Sequence, residues 1–331
     1  MFTEFYGLRG QPFQLGPDPR FFFGSSGHRK AMAYLTYALE QGEGFLVITG
    51  EVGAGKTTLI EHLLSTLDRR RFIAATIVTT QVEADDLLRL VAHAFGLPAS
   101  GRDKAGLLSD IHGFLVASQE AGKHPVLIVD EIQNLSMRSM EELRMLTNFQ
   151  RGQRSLLQGL LVGQPQFRAI LVRGELEQLR QRVIASYHLG PMSGEETVAY
   201  VEHRLGLVGW RCDPEFTADA FDLIHQHTGG IPRRINTLCT RLLLFGCIEE
   251  LHRIDGPIAR QIAEELRDEF SVPASAIPTA GPATGTGGGD LGRRIDGLEQ
   301  RVNAQERQLY ESLALVMRTL GRDRNQDPGS A

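Results

Sequence analysis

The stretch GEVGAGKTT, residues 50–58, has the glycine and lysine spacing of a phosphate-binding loop. It follows the apolar run FLVI at 45–48 and precedes the helical stretch LIEHLL at 59–64, which is the strand–loop–helix order that such a loop requires. Glycines let backbone N–H groups turn toward phosphates at a helix N-terminus, while Lys56 reaches the β- and γ-phosphates and the Thr57 hydroxyl ligates Mg²⁺. The sequence therefore predicts a nucleoside triphosphate site. The residues expected to bind the nucleotide are Gly50, Glu51, Val52, Gly53, Ala54, Gly55, Lys56, Thr57 and Thr58.

A second motif, VLIVDE at 126–131, ends an apolar run in two carboxylates. Open parallel sheets bind ligands beyond the carboxyl ends of their strands, so Asp130 and Glu131 are expected to face the phosphate loop. Asp130 suits a magnesium ligand, directly or through water, and Glu131 suits a general base that orients or deprotonates the attacking water. The alternative, a strand that simply ends in solvated acids, is disfavoured by the phosphate loop upstream.

Apolar runs alternate with helical patterns over the first part of the chain, which is typical of a parallel sheet covered on both faces. The predicted strands are 45–49, 72–79, 126–130, 157–163 and 186–189, and the helices predicted after the last strand are 194–207, 217–227, 232–248 and 255–269. The predicted fold class is therefore α/β, with a five-stranded parallel nucleotide-binding core over 1–192 and an all-helical unit over 193–270.

Composition and charge narrow the function classes. The 331 residues carry a net charge of −5, which argues weakly against a protein dominated by contacts to nucleic-acid phosphates, although a local basic face is compatible with it. Cys212, Cys239 and Cys247 lack metal-type spacing and are interpreted as thiols in a reducing compartment. No run approaches about 18 apolar residues and the first residues lack a signal-peptide core, so a cytoplasmic protein is expected.

The composition changes at 271–290, SVPASAIPTAGPATGTGGGD, where small residues and prolines predict a disordered linker. Beyond it, 291–320 is predicted to be an amphipathic, coiled-coil-like helix and 321–331 a disordered tail. Apolar residues with the heptad period that pairs helices along a seam are Ile295, Val302, Leu309 and Val316. Because the seam is imperfect, two alternatives stay open: a single helix folded back on the globular part, or one lying on a membrane surface.

The order of these motifs, continued by a polar-tipped strand and by Gly-Ile-Pro-Arg in the helical part, resembles that of AAA+ ATPases. Over roughly residues 1–269 the chain resembles the bacterial ExeA-type secretion ATPases, and most of all the ATPase associated with exosortase (PEP-CTERM) and exopolysaccharide export systems. The stretches that carry the resemblance are FYGL (5–8), PFQLGPDPRFFF (12–23), SSGH (25–28), GEGFLVITGEVGAGKTT (42–58), LIVDEIQNL (127–135), LLVGQPQF (160–167), QLRQRV (178–183) and TGGIPRRIN (228–236). The resemblance implies a P-loop AAA+ core with a helical lid.

The resemblance also implies roles for residues that composition does not single out. Gln164 takes the sensor-1 position, where its amide would place the water near the γ-phosphate; a plain turn residue is the alternative. Arg233 takes the sensor-2 position, from which a guanidinium closes the lid onto the phosphates, with Arg234 as the alternative. Arg182, or else Arg180, takes the place of an arginine finger that reaches into a neighbouring subunit, or forms a structural salt bridge instead.

The resemblance implies an ATPase that binds ATP and Mg²⁺ and works as a homo-oligomer on protein partners of an envelope export or exopolysaccharide system. Residues 12–22 are expected to form part of the adenine-side wall, for which a plain core role is an equal alternative. No transmembrane segment is expected, so any place at the inner membrane would come through partners. The alternative function is a DNA-binding AAA+ regulator of the transposition-helper type. It predicts a basic channel or an added DNA-binding module, whereas the sequence is acidic overall, so nucleic acid is the less expected partner.

Overall fold

Five of the apolar runs form one parallel sheet in the computed structural model, which describes residues 1–14, 16, 18–79, 84–152 and 154–270. The strands are β1 (Phe45–Gly50), β2 (Phe72–Val78), β3 (His124–Asp130), β4 (Gln150–Arg151), β5 (Arg154–Ser155), β6 (Gln158–Gly163), β7 (Val183–Leu189), β8 (Glu215–Phe216) and β9 (Arg253–Ile254). The sheet has the order β2-β3-β6-β1-β7, and every neighbouring pair in it is parallel. The predicted α/β class is confirmed.

Helices connect and follow these strands. They are α1 (Phe2–Phe5), α2 (Ser26–Gln41), α3 (Lys56–Thr66), α4 (Ala84–Ala94), α5 (Lys104–Glu120), α6 (Met137–Leu146), α7 (Gln166–Leu171), α8 (Glu177–Gln181), α9 (Gly194–Leu207), α10 (Ala218–Thr228), α11 (Pro232–Ile248) and α12 (Gly256–Phe270). Short 3₁₀ turns lie at Pro19–Phe21, Ile132–Asn134 and Gly174–Leu176. Strand β7 begins earlier than predicted because its first residue, Val183, pairs with Phe45 of β1.

The three central strands of the sheet, β3, β6 and β1, are buried on both faces, whereas burial alternates along the edge strands β2 and β7. Alternate residues of a strand point to opposite faces, so Leu127 and Val129 of β3 join a core with α4, α5 and α6, whereas Val126 and Ile128 join a second core with α2 and α3. Every residue of β1 is buried. Burial on both sides explains why the central strands read as apolar runs that do not alternate with polar residues.

Helices α9 to α12 form a lid with its own core. Ser193 and Glu196 form a capping box at the start of α9, and Pro232 stands in the first turn of α11. Gly229, with a left-handed φ of 59°, ends α10. The structure adds one short parallel pair, β8 with β9, to a unit that was predicted to be all-helical.

The N-terminal segment packs into the core of this lid. Tyr6, Leu8 and Phe13 are buried there, and the Tyr6 hydroxyl donates to the carbonyl of Leu251 at 2.9 Å. The sequence analysis predicted a nucleotide-binding unit over 1–192 that includes this segment, and that boundary stays a prediction. The segment contacts both parts, because Phe22 packs against the sheet core of α2 and α3.

Across the described ranges, no helix combines the length and the apolar character needed to cross a membrane. The predicted linker at 271–290, helix at 291–320 and tail at 321–331 lie outside the described residues. Those three assignments therefore stay predictions.

Candidate nucleotide site

The phosphate loop connects β1 to α3 at the carboxyl edge of the sheet. Strands β3 and β6 end at the same edge, in Asp130 and Gly163, because the strands run parallel. Gly53 and Gly55 have φ angles of 83° and 93°, in the left-handed region that favours glycine. Gly55 caps α3, whose first residue is Lys56, so the lysine lies at the helix N-terminus.

Lys56 is a buried cation whose hydrogen bonds go to the loop itself. Its Nζ donates to the Gly50 carbonyl at 2.8 Å and to the Glu51 carbonyl at 3.0 Å, and the residue is 6% exposed. Burial lowers the pKa of the ammonium, while the charges of Glu131 and Asp130 raise it. Carbonyl partners do not neutralise the ammonium, so its charge is available to an anionic phosphate.

Thr57 and Asp130 meet beside the loop, with Thr57 Oγ1 donating to Asp130 Oδ2 at 3.3 Å. Burial raises the pKa of the Asp130 carboxyl, and the backbone N–H of Glu131 and the Thr57 hydroxyl lower it. Among the described residues, no group of His, Cys, Asp or Glu is arranged to enclose a metal ion. A hydroxyl beside one carboxylate instead fits Mg²⁺, which is usually held by one or two protein oxygens together with phosphates and water. Thr57 and Asp130 would hold this ion, which when bound neutralises phosphate charge.

Glu131 follows β3 directly, with a left-handed φ of 53°. Its Oε2 accepts hydrogen bonds from Gln133 Nε2 at 2.5 Å and from Gln164 Nε2 at 3.2 Å. Gln133 Oε1 in turn accepts the backbone N–H of Gln164 at 3.0 Å. These bonds fix the carboxylate through one oxygen and leave Oε1 available to a water molecule. The sequence analysis did not single out Gln133, whose signal is its place in the 3₁₀ turn just after Glu131.

A cavity of about 230 Å³ extends from the phosphate loop to the lid. The predicted site residues that line it are Val52, Gly53, Gly55, Lys56, Thr57, Thr58, Glu131 and Arg233. Of the other loop residues, Gly50 and Glu51 hold Lys56 through their carbonyls, and Ala54 is buried. The fold thus brings together in one cavity residues predicted from separate stretches of the sequence.

The far wall of the cavity comes from the N-terminal segment. Gln14, Phe21 and Phe22 line the cavity, whereas Phe13 is buried in the lid core. The Phe22 ring stacks on His62 of α3, with ring centroids 3.9 Å apart. Some residues of this stretch thus line the cavity and another joins the lid core, while its place on the adenine side of a nucleotide stays a prediction.

Arg204 of α9 joins this wall to the lid, and the sequence analysis missed it. The residue is 6% exposed; its Nε donates to the Pro12 carbonyl at 2.6 Å and its Nη1 to the Tyr200 hydroxyl at 2.8 Å. Tyr200 donates onward to Asn236 Oδ1 at 2.8 Å, and the guanidinium lies 4.7 Å from the centroid of the Phe21 ring. The sequence does contain one signal: Arg204 falls on the buried face of α9, and an arginine is almost never fully buried unless its charge is paired or hydrogen-bonded.

The lid touches the phosphate loop through the first turn of α11. The backbone N–H of Arg233 donates to the Gly53 carbonyl at 3.1 Å, and a Cβ at Gly53 would collide with the Arg233 side chain. Arg233 lines the cavity, whereas Arg234, the predicted alternative, is absent from the described residues that line it. Arg233 is thus the one of the two arginines that lines the cavity, and its sensor-2 role stays a prediction.

Arg182 and Arg180 lie at the opposite edge of the sheet, where β7 begins. Arg182 is half-buried; its Nη1 donates to the Thr147 carbonyl at 3.1 Å, and its own carbonyl accepts the N–H of Phe45 at 2.8 Å. The Arg180 side chain is 54% exposed and lies 3.7 Å from Glu177. The structure does not bring either arginine to the cavity of its own chain, and their action on a neighbouring subunit stays a prediction.

Comparison with known proteins agrees with this geometry. The AAA domain family matches residues 39–171. General secretion pathway protein A of Aeromonas hydrophila is 40% identical over 273 residues, which are 81% of this chain and 50% of that protein. The chain therefore spans half the length of this relative.

Solved structures share the fold at low sequence identity. The Aeropyrum pernix ORC2 protein, in its ADPNP-ADP complexes, has a TM-score of 0.59 at 18% identity, covering 77% of this chain and 71% of that one. The Drosophila ORC bound to DNA has a TM-score of 0.61 at 15% identity, covering 84% and 69%. These likenesses establish the P-loop AAA fold.

Proposed function

We propose that this chain is an Mg²⁺-dependent ATPase of the ExeA type that powers or switches a bacterial envelope export system through protein partners. The observation that carries the proposal is the position of the Glu131 carboxylate. It accepts hydrogen bonds from the Gln133 and Gln164 amides and lines the same cavity as Lys56 of the phosphate loop. Similarity to a general secretion pathway protein supports the export part. A role in exosortase-associated exopolysaccharide export is the more specific form of the proposal, and the motif resemblance supports it.

Each side chain has a separate task in this proposal. Lys56 and the loop N–H groups bind the phosphates, and the Arg233 guanidinium draws the lid toward them. Glu131 accepts a proton from the attacking water, while Gln133 and Gln164 hold its carboxylate in one orientation. The chain acts as a homo-oligomer, in which an arginine of one subunit completes the site of the next.

Two substitutions test the chemistry. Lys56→Ala should abolish nucleotide binding, because the phosphate charge loses its cation. Glu131→Gln should keep ATP binding but lower hydrolysis at least about a hundredfold, the scale of a lost catalytic base. Binding is measured with a fluorescent ATP analogue and hydrolysis by phosphate release. Turnover near wild type in Glu131→Gln would remove Glu131 from its role.

The partner class is tested with the same two variants. Cells that carry Glu131→Gln should accumulate the ATP-loaded form with its partners, and Lys56→Ala is the matched form without nucleotide. Envelope export proteins should be enriched on the first and depleted on the second. Duplex DNA should bind little at physiological salt and should leave the ATPase rate unchanged. A several-fold stimulation by DNA would instead favour the transposition-helper type of regulator.

A further inference from the structure

The turn Ser25–His28, which begins α2, has no task in the proposed chemistry although the motif resemblance includes it. Ser25 Oγ accepts the backbone N–H of His28 at 3.3 Å and thereby caps the helix. The same oxygen lies 2.7 Å from His28 Nδ1. The Ser25 hydroxyl also has a proton that it can donate to Nδ1, and in that tautomer the ring carries its own proton on Nε2.

The His28 ring packs against the phosphate loop at Gly55. Ser25 and His28 are each 4% exposed. A Cβ at Gly55 would lie 2.8 Å from His28 Nε2, so the ring edge occupies the space that a side chain on this glycine would need. Burial lowers the pKa of His28 to about 4, against the opposing effects of Glu196 and of a hydrogen bond with the Ala54 backbone. The imidazole is therefore neutral at physiological pH.

The same turn reaches the lid on its other side. The backbone N–H of Ser26 donates to Glu196 Oε1 at 2.6 Å, and Glu196 Oε2 accepts the backbone N–H of Ser193 at 3.2 Å. Glu196 thus caps the first lid helix while it holds the start of α2. One helical turn contacts both the loop that would bind phosphates and the lid that would close on them.

We propose that His28 is a positioning residue for the phosphate loop: its ring holds the backbone of Ala54 and Gly55 in place so that the loop N–H groups face the phosphates. His28 lines the cavity, but Nδ1 is engaged by Ser25 and Nε2 is turned to the loop backbone, so the ring acts through the loop. A glycine-rich loop loses much conformational freedom when it orders, and a brace that exists before binding reduces this cost. The inference rests on the proposed binding of a nucleoside triphosphate.

The test compares two amides that each replace one ring nitrogen. The amide nitrogen of glutamine reaches the place of Nε2, so His28→Gln should keep the brace. The amide of asparagine reaches only the place of Nδ1, so His28→Asn should lose it. His225→Gln is the matched control, because His225 Nδ1 also pairs with a hydroxyl, that of Thr197 at 2.9 Å, within the lid.

We expect His28→Asn to raise the Kd for ADP and the KM for ATP about tenfold, the scale of one lost hydrogen bond, with kcat within about twofold of wild type. His28→Gln should recover most of the affinity, and His225→Gln should match wild type. Thermal unfolding without nucleotide shows whether each variant is folded. If His28→Asn does not fold, Ser25→Ala replaces it, since the untethered ring should raise Kd in the same direction.

Equal ADP affinity in wild type, His28→Asn and Ser25→Ala would overturn the inference, and so would a fall in kcat at unchanged Kd. Equal losses in His28→Gln and His28→Asn would also overturn it, because the position of the amide would then not matter. A wild-type chain that binds no nucleotide would overturn the proposed function as well. If the wild type binds and hydrolyses ATP and the variants match it, only the role of His28 is wrong and the proposed function stands.

Discussion

Replacing Gln133 by methionine would remove both amide contacts of this side chain while keeping an unbranched chain of similar length. Gln133 Nε2 donates to Glu131 Oε2 at 2.5 Å, and Gln133 Oε1 accepts the backbone N–H of Gln164 at 3.0 Å. A Cβ at Gly163 would come within 2.8 Å of Gln133 Oε1, so the side chain lies against the bare backbone of that glycine. A methionine fits the same path without a branch that would clash.

The size of the effect follows from the bonds that remain. A hydrogen bond to a charged group contributes about 1.5–3 kcal/mol. Gln164 Nε2 still donates to the same oxygen of Glu131, at 3.2 Å, so the carboxylate keeps one of its two hydrogen bonds. We therefore take the lower end of this energy range. A loss of about 1.5 kcal/mol in the transition state corresponds to a kcat about tenfold lower. KM should change less than about twofold, because Gln133 is absent from the described residues that line the cavity.

The assay is steady-state phosphate release over a range of ATP concentrations. Gln166→Met, at an exposed position in α7, is the matched control and should behave as wild type. The double variant Gln133→Met with Glu131→Gln should be no slower than Glu131→Gln alone, because Gln133 acts through that carboxylate. A kcat at or above wild type in Gln133→Met would refute the positioning argument. A further loss in the double variant would show that Gln133 acts independently of Glu131.

Other predictions concern the assembly, the far wall and the tail. Mixing Arg182→Ala chains with Glu131→Gln chains should restore part of the ATPase rate, since one interface then holds both intact groups. If Arg180→Ala chains restore the rate in such a mixture and Arg182→Ala chains do not, Arg180 is the arginine finger. Arg204→Met should lower the free energy of unfolding in urea by about 1–3 kcal/mol, because it leaves buried carbonyl and hydroxyl groups without their donor; an unchanged midpoint and slope would contradict this. Deleting 291–331 should leave nucleotide affinity intact but weaken assembly or partner recruitment, and a truncated chain that still oligomerises and keeps its partners would show the tail dispensable.

Part of the site is readable from the sequence because it is contiguous. Lys56 and Thr57 belong to one loop, and Asp130 and Glu131 end one apolar run, so spacing alone places them. The roles of Gln164 and Arg233 came from resemblance; in the structure Arg233 lines the cavity and Gln164 donates a hydrogen bond to the Glu131 carboxylate.

Other parts of the site were not readable, since their partners are distant in the chain. In the sequence Arg204 is one charged residue on a predicted helix, and only the folded structure shows that it donates a hydrogen bond to the Pro12 carbonyl. Nothing in the sequence shows that Tyr6 and Phe13 are buried in the lid core, whose helices come much later in the chain. The hydrophobic effect is non-directional, so the position of an apolar residue in the sequence does not show which of two cores will bury its side chain.

By itself the sequence determined the α/β class, the phosphate loop and the helical pattern of the lid, because hydrophobic periodicity and loop spacing are local properties of the chain. The tertiary structure alone decided the strand order β2-β3-β6-β1-β7. It also decided that His28 lies against Gly55 and that Glu196 of the lid accepts a hydrogen bond from the start of α2. These contacts join segments that are far apart in the chain, and they exist only once the burial of the sheet faces and of the lid core has set the segments side by side.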